Sequence, residues 1–179
     1  MAVGTSLVTI AQFRMLPEDS GPVYHELRHG EVVTVTRPKL GHFLIQSRLV
    51  ALLTPVTQES GLVATEVAFR ALAEYELRVA DVAFLRGDRV AGTSPDDNVQ
   101  GAPELVIEVL SPSNTASEIY DKETLCLENG ALEFWVVDPD RRQVRVSTLD
   151  RRTVTYRAGE EIPMPMFGDA RLSVDGIFG

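Results

Sequence analysis

At 179 residues and 19.7 kDa the chain is long enough for one sizeable core, and residues 1–179 are most economically a single domain. A hydrophobic fraction of 44% beside 24% charged residues is that of an ordinary globular protein, and no apolar run approaches the roughly 20 residues of a membrane span. A net charge of −9 argues against a protein that binds nucleic acid by phosphate neutralisation alone, since such proteins usually display a basic surface. Any role on nucleic acid therefore needs a locally basic face. The lone Cys126 can form no internal disulfide, and MAVGTSLVTIAQFRMLPED has neither the basic start nor the clean apolar stretch of a leader. A cytoplasmic location is expected.

In chain order, Thr9 caps a short helix that stops before Pro17. VYHELR (23–28) and EVVTVTR (31–37) read as two strands turning at His29-Gly30. From about Lys39 to Ser60, Ile45, Leu49, Leu52, Leu53 and Val56 follow helical spacing, with His42 on the same stripe. Strands are expected at 62–70 and 75–85, then a long polar loop from Arg86 to Gly101. ELVIEVL (104–110) is nearly continuous in apolar residues, as in a strand covered on both faces. Ser113, Asn114 and Thr115 offer caps for a helix at about 116–128, closed by Asn129-Gly130. A hairpin (132–138 and 143–149), a strand at 152–157 and an irregular tail complete the chain. The pattern predicts an α/β (α+β) sandwich, a mixed sheet flanked by two main helices.

Two carboxylates interrupt runs that should be buried: Asp81 in VADVAFL and Glu108 in ELVIEVL. A buried ionised carboxylate costs several kcal/mol unless it is paired, hydrogen-bonded or bound to a metal. Each could sit at a strand end and pair with an arginine. Alternatively, both converge where a hard divalent cation relieves their repulsion. Lys122 favours convergence. At about 100° per residue, Ile119, Lys122, Leu125 and Cys126 fall within one arc of roughly 120°, so the lysine lies inside the apolar stripe. The chain has 15 Arg and only two Lys, Lys39 and Lys122. Two acids and a lysine around a cation are what phosphodiester hydrolysis needs.

These residues carry a resemblance. HGEVV (29–33), the His42 helix, RVADVAFL (78–85), GAPELVIEVLSPS (101–113), Asp121-Lys122 and LEFWVVDPDRRQVRV (132–146) resemble the Uma-type family of restriction endonucleases, within the PD-(D/E)XK nuclease superfamily. The resemblance implies a restriction-endonuclease-like central mixed sheet and a site for Mg²⁺ or Mn²⁺. It implies Asp81, Glu108 and Lys122 as catalytic residues, with Asp81 and Glu108 as metal ligands. Lys122 stands in for the lysine ordinarily placed two residues after the glutamate, where this chain has Leu110. Ala80 stands where the family usually has proline, and Glu31 matches an additional acidic residue.

His42 is a further site candidate, against the commoner role of a core histidine, and Glu66 could also reach the site. Arg141, Arg142 and Arg145 belong to C-terminal hairpins with a local excess of +3 and are candidate phosphate contacts, although a solvated hairpin face explains them too. The expected function is metal-dependent cleavage of DNA, in a chain free of membrane and possible as a homodimer. The alternatives are an inactive binding or assembly module, and a hydrolase of RNA or another phosphoester.

Overall fold

The computed structural model describes residues 7–17, 21–57 and 59–179. Residues 1–6, which begin the segment read above for a leader, and residue 58, near the expected end of the second helix, lie outside that set.

The first elements follow the sequence signals closely. Thr9 forms a capping box with Gln12 over α1 (Ile10–Phe13). A hairpin follows, β1 (Val23–Arg28) and β2 (Glu31–Thr36), turning through His29 and Gly30, both at positive φ. Helix α2 (Leu40–Thr57) buries Ile45, Leu49 and Leu53 together with Gln46. Strand β3 (Gly61–Arg70) opens with Gly61 because a Cβ there would stand 1.9 Å from the Leu85 carbonyl oxygen. Strand β4 (Arg78–Arg86) pairs with it antiparallel.

The stretch from Arg86 to Gly101 is not the structureless loop its composition suggests. It contains α3 (Gly87–Gly92) and β5 (Val99–Gln100). Its polar residues satisfy the local chain: Arg89 donates to the Ala102 carbonyl at 2.7 Å and to Glu104 at 3.0 Å, and Arg70 reaches Asp97 at 3.0 Å. Polarity there marks hydrogen-bonded order.

Strand β6 (Leu105–Val109) is buried throughout and crosses through α4 (Ala116–Glu128) to its parallel neighbour β7 (Glu133–Asp138). Thr115 and Glu118 form the capping box of α4. Strands β8 (Gln143–Thr148) and β9 (Thr153–Arg157) finish a seven-stranded mixed sheet in the order β5-β3-β4-β6-β7-β8-β9.

The tail is also more ordered than expected. A hairpin of β10 (Glu161–Pro163) and β11 (Arg171–Ser173) leads to α5 (Val174–Phe178). It buries Ile162, Met164, Leu172, Val174 and Ile177 beside α2 on one face of the sheet. These apolar residues are too sparse for a periodic signal, yet together they complete that face. Helix α4 covers the other face with Ile119, Leu125 and Cys126 against Val106, Phe134 and Val136. The fold is thus a mixed central sheet with helices on both sides, as expected. Among the described residues no helix is long and apolar enough to cross a membrane.

Candidate active site

The site forms where the central ladder opens. Strands β4 and β6 pair only through Val82↔Ile107, Ala83↔Val106 and Phe84↔Leu105. Beyond Val82 they separate, and backbone N–H groups that a ladder would satisfy need other acceptors. Asp81 and Glu108 supply them. Asp81 Oδ2 accepts the Val109 N–H at 2.7 Å, and Glu108 Oε1 accepts the Asp81 N–H at 3.4 Å. The strand fork therefore holds two carboxylates side by side.

Helix α4 brings the third group. Lys122 Nζ lies 2.8 Å from Glu108 Oε2 and donates to the Val79 carbonyl at 2.7 Å. The lysine side chain is 8% exposed, so its ammonium is answered by Glu108 and a carbonyl rather than by water. Burial alone would lower its pKa, but Glu108, Glu26 and Asp81 outweigh that and hold the amine above its ordinary range. Burial pushes the Glu108 carboxyl up to about 7 despite Lys122, and the negative charges of Asp81 and Glu26 push the same way.

Helix α2 closes the opposite side. His42 Nε2 is 3.0 Å from the Val109 carbonyl and 3.2 Å from Asp81 Oδ2. Both neighbours accept, which assigns the proton to Nε2. His42 Nδ1 is buried and has no partner among the described residues. Burial acts to lower the imidazole pKa, but the hydrogen bond and charge of Asp81 raise it overall. One turn on, the buried Gln46 donates through Nε2 to Glu66 Oε1 at 2.6 Å, and more weakly to the Asp81 carbonyl at 3.2 Å and Oδ1 at 3.3 Å.

Glu66 itself is backbone-strained. It faces Asp81 in the β3–β4 register but drops out of the pairing, with φ of 52° in mid-strand. A non-glycine residue there costs about 1–3 kcal/mol, and such strain clusters at functional sites. Burial and Asp81 raise the Glu66 carboxyl above its usual range, partly offset by Gln46.

The β1 strand adds Glu26, buried and accepting the Val79 N–H at 2.9 Å and Arg28 at 2.9 Å. Two residues away on the same face is Tyr24, whose hydroxyl is pushed far above its usual range by burial and by Glu26, Glu108, Asp81 and Glu66.

The fork thus unites Asp81, Glu108, Lys122 and His42. Glu31 is not brought in: it is exposed at the start of β2 and bonds none of these groups among the described residues. The acids that accompany Asp81 and Glu108 are instead Glu26 and Glu66. Arg141 pairs with Asp138 at 2.9 Å, Arg142 stacks over Phe178 at 5.4 Å, and Arg145 pairs with Glu123 at 2.7 Å. Only Arg145 shares a row with the site, two strands from Glu108 through Val136. Gln46 could have been noticed, because a polar residue between Ile45 and Leu49 interrupts an apolar stripe. Glu26 and Tyr24 gave no such sign, since only the docking of the hairpin places them here.

The donor set suits a hard divalent cation. It is all oxygen, its carboxyls at positions 66 and 108 are held above their usual range, and Asp81 keeps 18% side-chain exposure. Among the described residues no three His, Cys, Asp or Glu side chains are arranged as a ready-made metal cage. Mg²⁺ does not require one, since it is usually held by one or two carboxylates and waters.

A mixed sheet with carboxylates and a lysine in a strand fork defines the restriction-endonuclease-like class. Residues 10–175 match the family described as "Putative restriction endonuclease" (Uma2), and the chain belongs to that family. It is also similar to a crystal structure from Anabaena variabilis titled a "putative nuclease belonging to DUF820". That likeness has a TM-score of 0.80 at 24% identity and covers 96% of this chain and 97% of the other. No curated protein matches the sequence.

Proposed function

We propose that this chain is a metal-dependent endonuclease that hydrolyses DNA phosphodiester bonds at the β4–β6 fork. The observation that carries the reading is the Lys122–Glu108 pair beside Asp81 in a part-open fork. A purely structural ion pair has no need of a second, partly exposed carboxylate against it. Asp81 and Glu108 would hold Mg²⁺ or Mn²⁺, with Glu66 close by; bound there, the cation supplies Lewis acidity and offsets charge on the phosphate.

The chain's own groups do the rest. Lys122, fixed by Glu108 and the Val79 carbonyl, keeps a full positive charge where negative charge builds on the phosphoryl oxygens. It would also orient an attacking water. His42 and the Val109 N–H lock the Asp81 carboxylate so that it need not reorganise during the reaction. Supercoiled plasmid incubated with purified protein and Mn²⁺ tests the proposal, with Lys122→Ala as control. Nicked and linear DNA from the wild type alone is the expected result. Intact plasmid and intact single-stranded circular DNA with every divalent cation tried would reject it.

A further inference from the structure

The arginines nearest the fork are already matched to carboxylates: Arg28 to Glu26 and Glu118, Arg78 to Glu76 and Asp121, Arg145 to Glu123. Arg37 and Lys39 differ. Both are exposed, and neither forms an ion pair among the described residues. Arg37 lies over the Tyr24 ring at 6.0 Å and donates to the Gly21 carbonyl, which fixes it beside the site. Lys39 stands at the start of α2, where its carbonyl accepts the Phe43 N–H at 3.0 Å.

Phe43 is the second unusual feature. It is 53% exposed, and Tyr120 is the only other exposed aromatic among the described residues. Taking His42 as zero on the helix, Gln46 lies at about 40° and Phe43 at about 100°, while Lys39 immediately precedes the first helical residue, Leu40. The N-terminal end of α2 thus carries His42 and Gln46 at the carboxylate fork and an uncovered aromatic ring about a quarter turn round from His42, with a cation just ahead of its first turn.

We infer that this rim, formed by Arg37, Lys39 and Phe43, selects nucleic-acid strands with unpaired bases, Phe43 stacking on a base while the two cations meet phosphates. The inference rests on the nuclease reading above and names its substrate class. A chain of net charge −9 whose rim offers two cations outside ion pairs among the described residues can draw little affinity from phosphate neutralisation, the main source of duplex binding. Stacking on an aromatic ring supplies affinity without charge, but it needs a base free of its partner strand.

The test measures binding apart from cleavage. In an Asp81→Asn background, fluorescence anisotropy compares a labelled oligo-dT of about 12 nucleotides with a duplex of equal length. The single strand should bind more tightly, and Phe43→Ala should weaken it on the order of tenfold while changing duplex binding little. Lys39→Gln should make the slope of log K against log salt shallower by about 0.7. Both side chains are exposed, so circular dichroism should show an unchanged fold. Equal single-strand binding with and without Phe43, or a preference for duplex, overturns the inference. So does a dimer that Phe43→Ala dissociates without affecting strand binding, which would make the face a contact between two copies. Plasmid cleavage by the wild type in such a case retires the rim alone; absence of both cleavage and binding removes the nuclease reading with it.

Discussion

Asp81 Oδ2 accepts the backbone N–H of Val109 at 2.7 Å, occupying a ladder position that β4 and β6 leave open as they diverge. A side chain here does the work of a strand. The carboxylate is therefore both part of the fold and part of the site, and changes at position 81 should be read on both accounts. The same holds for Glu108, whose Oε1 takes the Asp81 N–H.

Neutralising Asp81 should separate the two roles. Asp81→Asn weakens the charge-assisted contact with His42 and should cost about 1–3 kcal/mol of stability without metal. A cation that binds only the folded wild type adds about 2.7 kcal/mol at a hundredfold excess over Kd. Thermal melts with and without Mn²⁺ should then show a rise for wild type and almost none for the variant. An equal Mn²⁺ shift in both would place the cation elsewhere.

Removing the lysine should cost activity and, at higher pH, stability. Lys122→Met should slow cleavage by about 10²-fold or more if the ammonium stabilises transition-state charge. It also leaves Glu108 buried without its partner, a loss of about 3–5 kcal/mol when the carboxyl is ionised. Adding Glu108→Gln should recover much of that stability but none of the activity. Failure of the double variant to recover would show that the contact with the Val79 carbonyl, rather than the ion pair, governs the loss.

Glu108 should also set a pH dependence. Its carboxyl titrates at about 7 in the folded protein against 4.5 ordinarily, so the folded state binds this proton more tightly. The resulting stability is complete below 4.5 and disappears as pH rises through about 7. Melting temperatures of the metal-free wild type should fall between about pH 5 and about pH 8 relative to Glu108→Gln. Parallel curves for the two proteins would mean that Glu108 is ionised throughout that range.

The strained backbone at Glu66 makes a separate prediction. Both Glu66→Gly and Glu66→Ala lose the Gln46 hydrogen bond, but glycine adopts φ of 52° without penalty, so the glycine variant should melt about 2–4 °C above the alanine variant. The alanine variant keeps the Cβ and with it the strain. Cleavage should fall in both. A glycine variant that melts no higher than the alanine variant would show that position 66 stores no strain.

The sequence by itself determined the order of the main elements and the two carboxylates and one lysine at the fork. Periodicity and caps are local: Thr9, Thr115 and the apolar spacing of α2 and α4 act within a few residues. Asp81, Glu108 and Lys122 were legible because each places a charge where the pattern calls for an apolar side chain, and that cost is visible without a fold. Only the tertiary structure decided which acids join them. Glu26 and Tyr24 reach the site through the docking of the β1–β2 hairpin on the start of β4, and Glu66 through register across β3 and β4. Glu31 lies a few residues from Glu26 yet stays at the exposed end of the same hairpin. The order in the 86–101 segment and in the tail likewise comes from long-range partners such as Arg70–Asp97 and the packing of Ile162 and Ile177 in the α2-side core. Contacts between distant residues leave no period in the chain, so they are settled only when the chain folds.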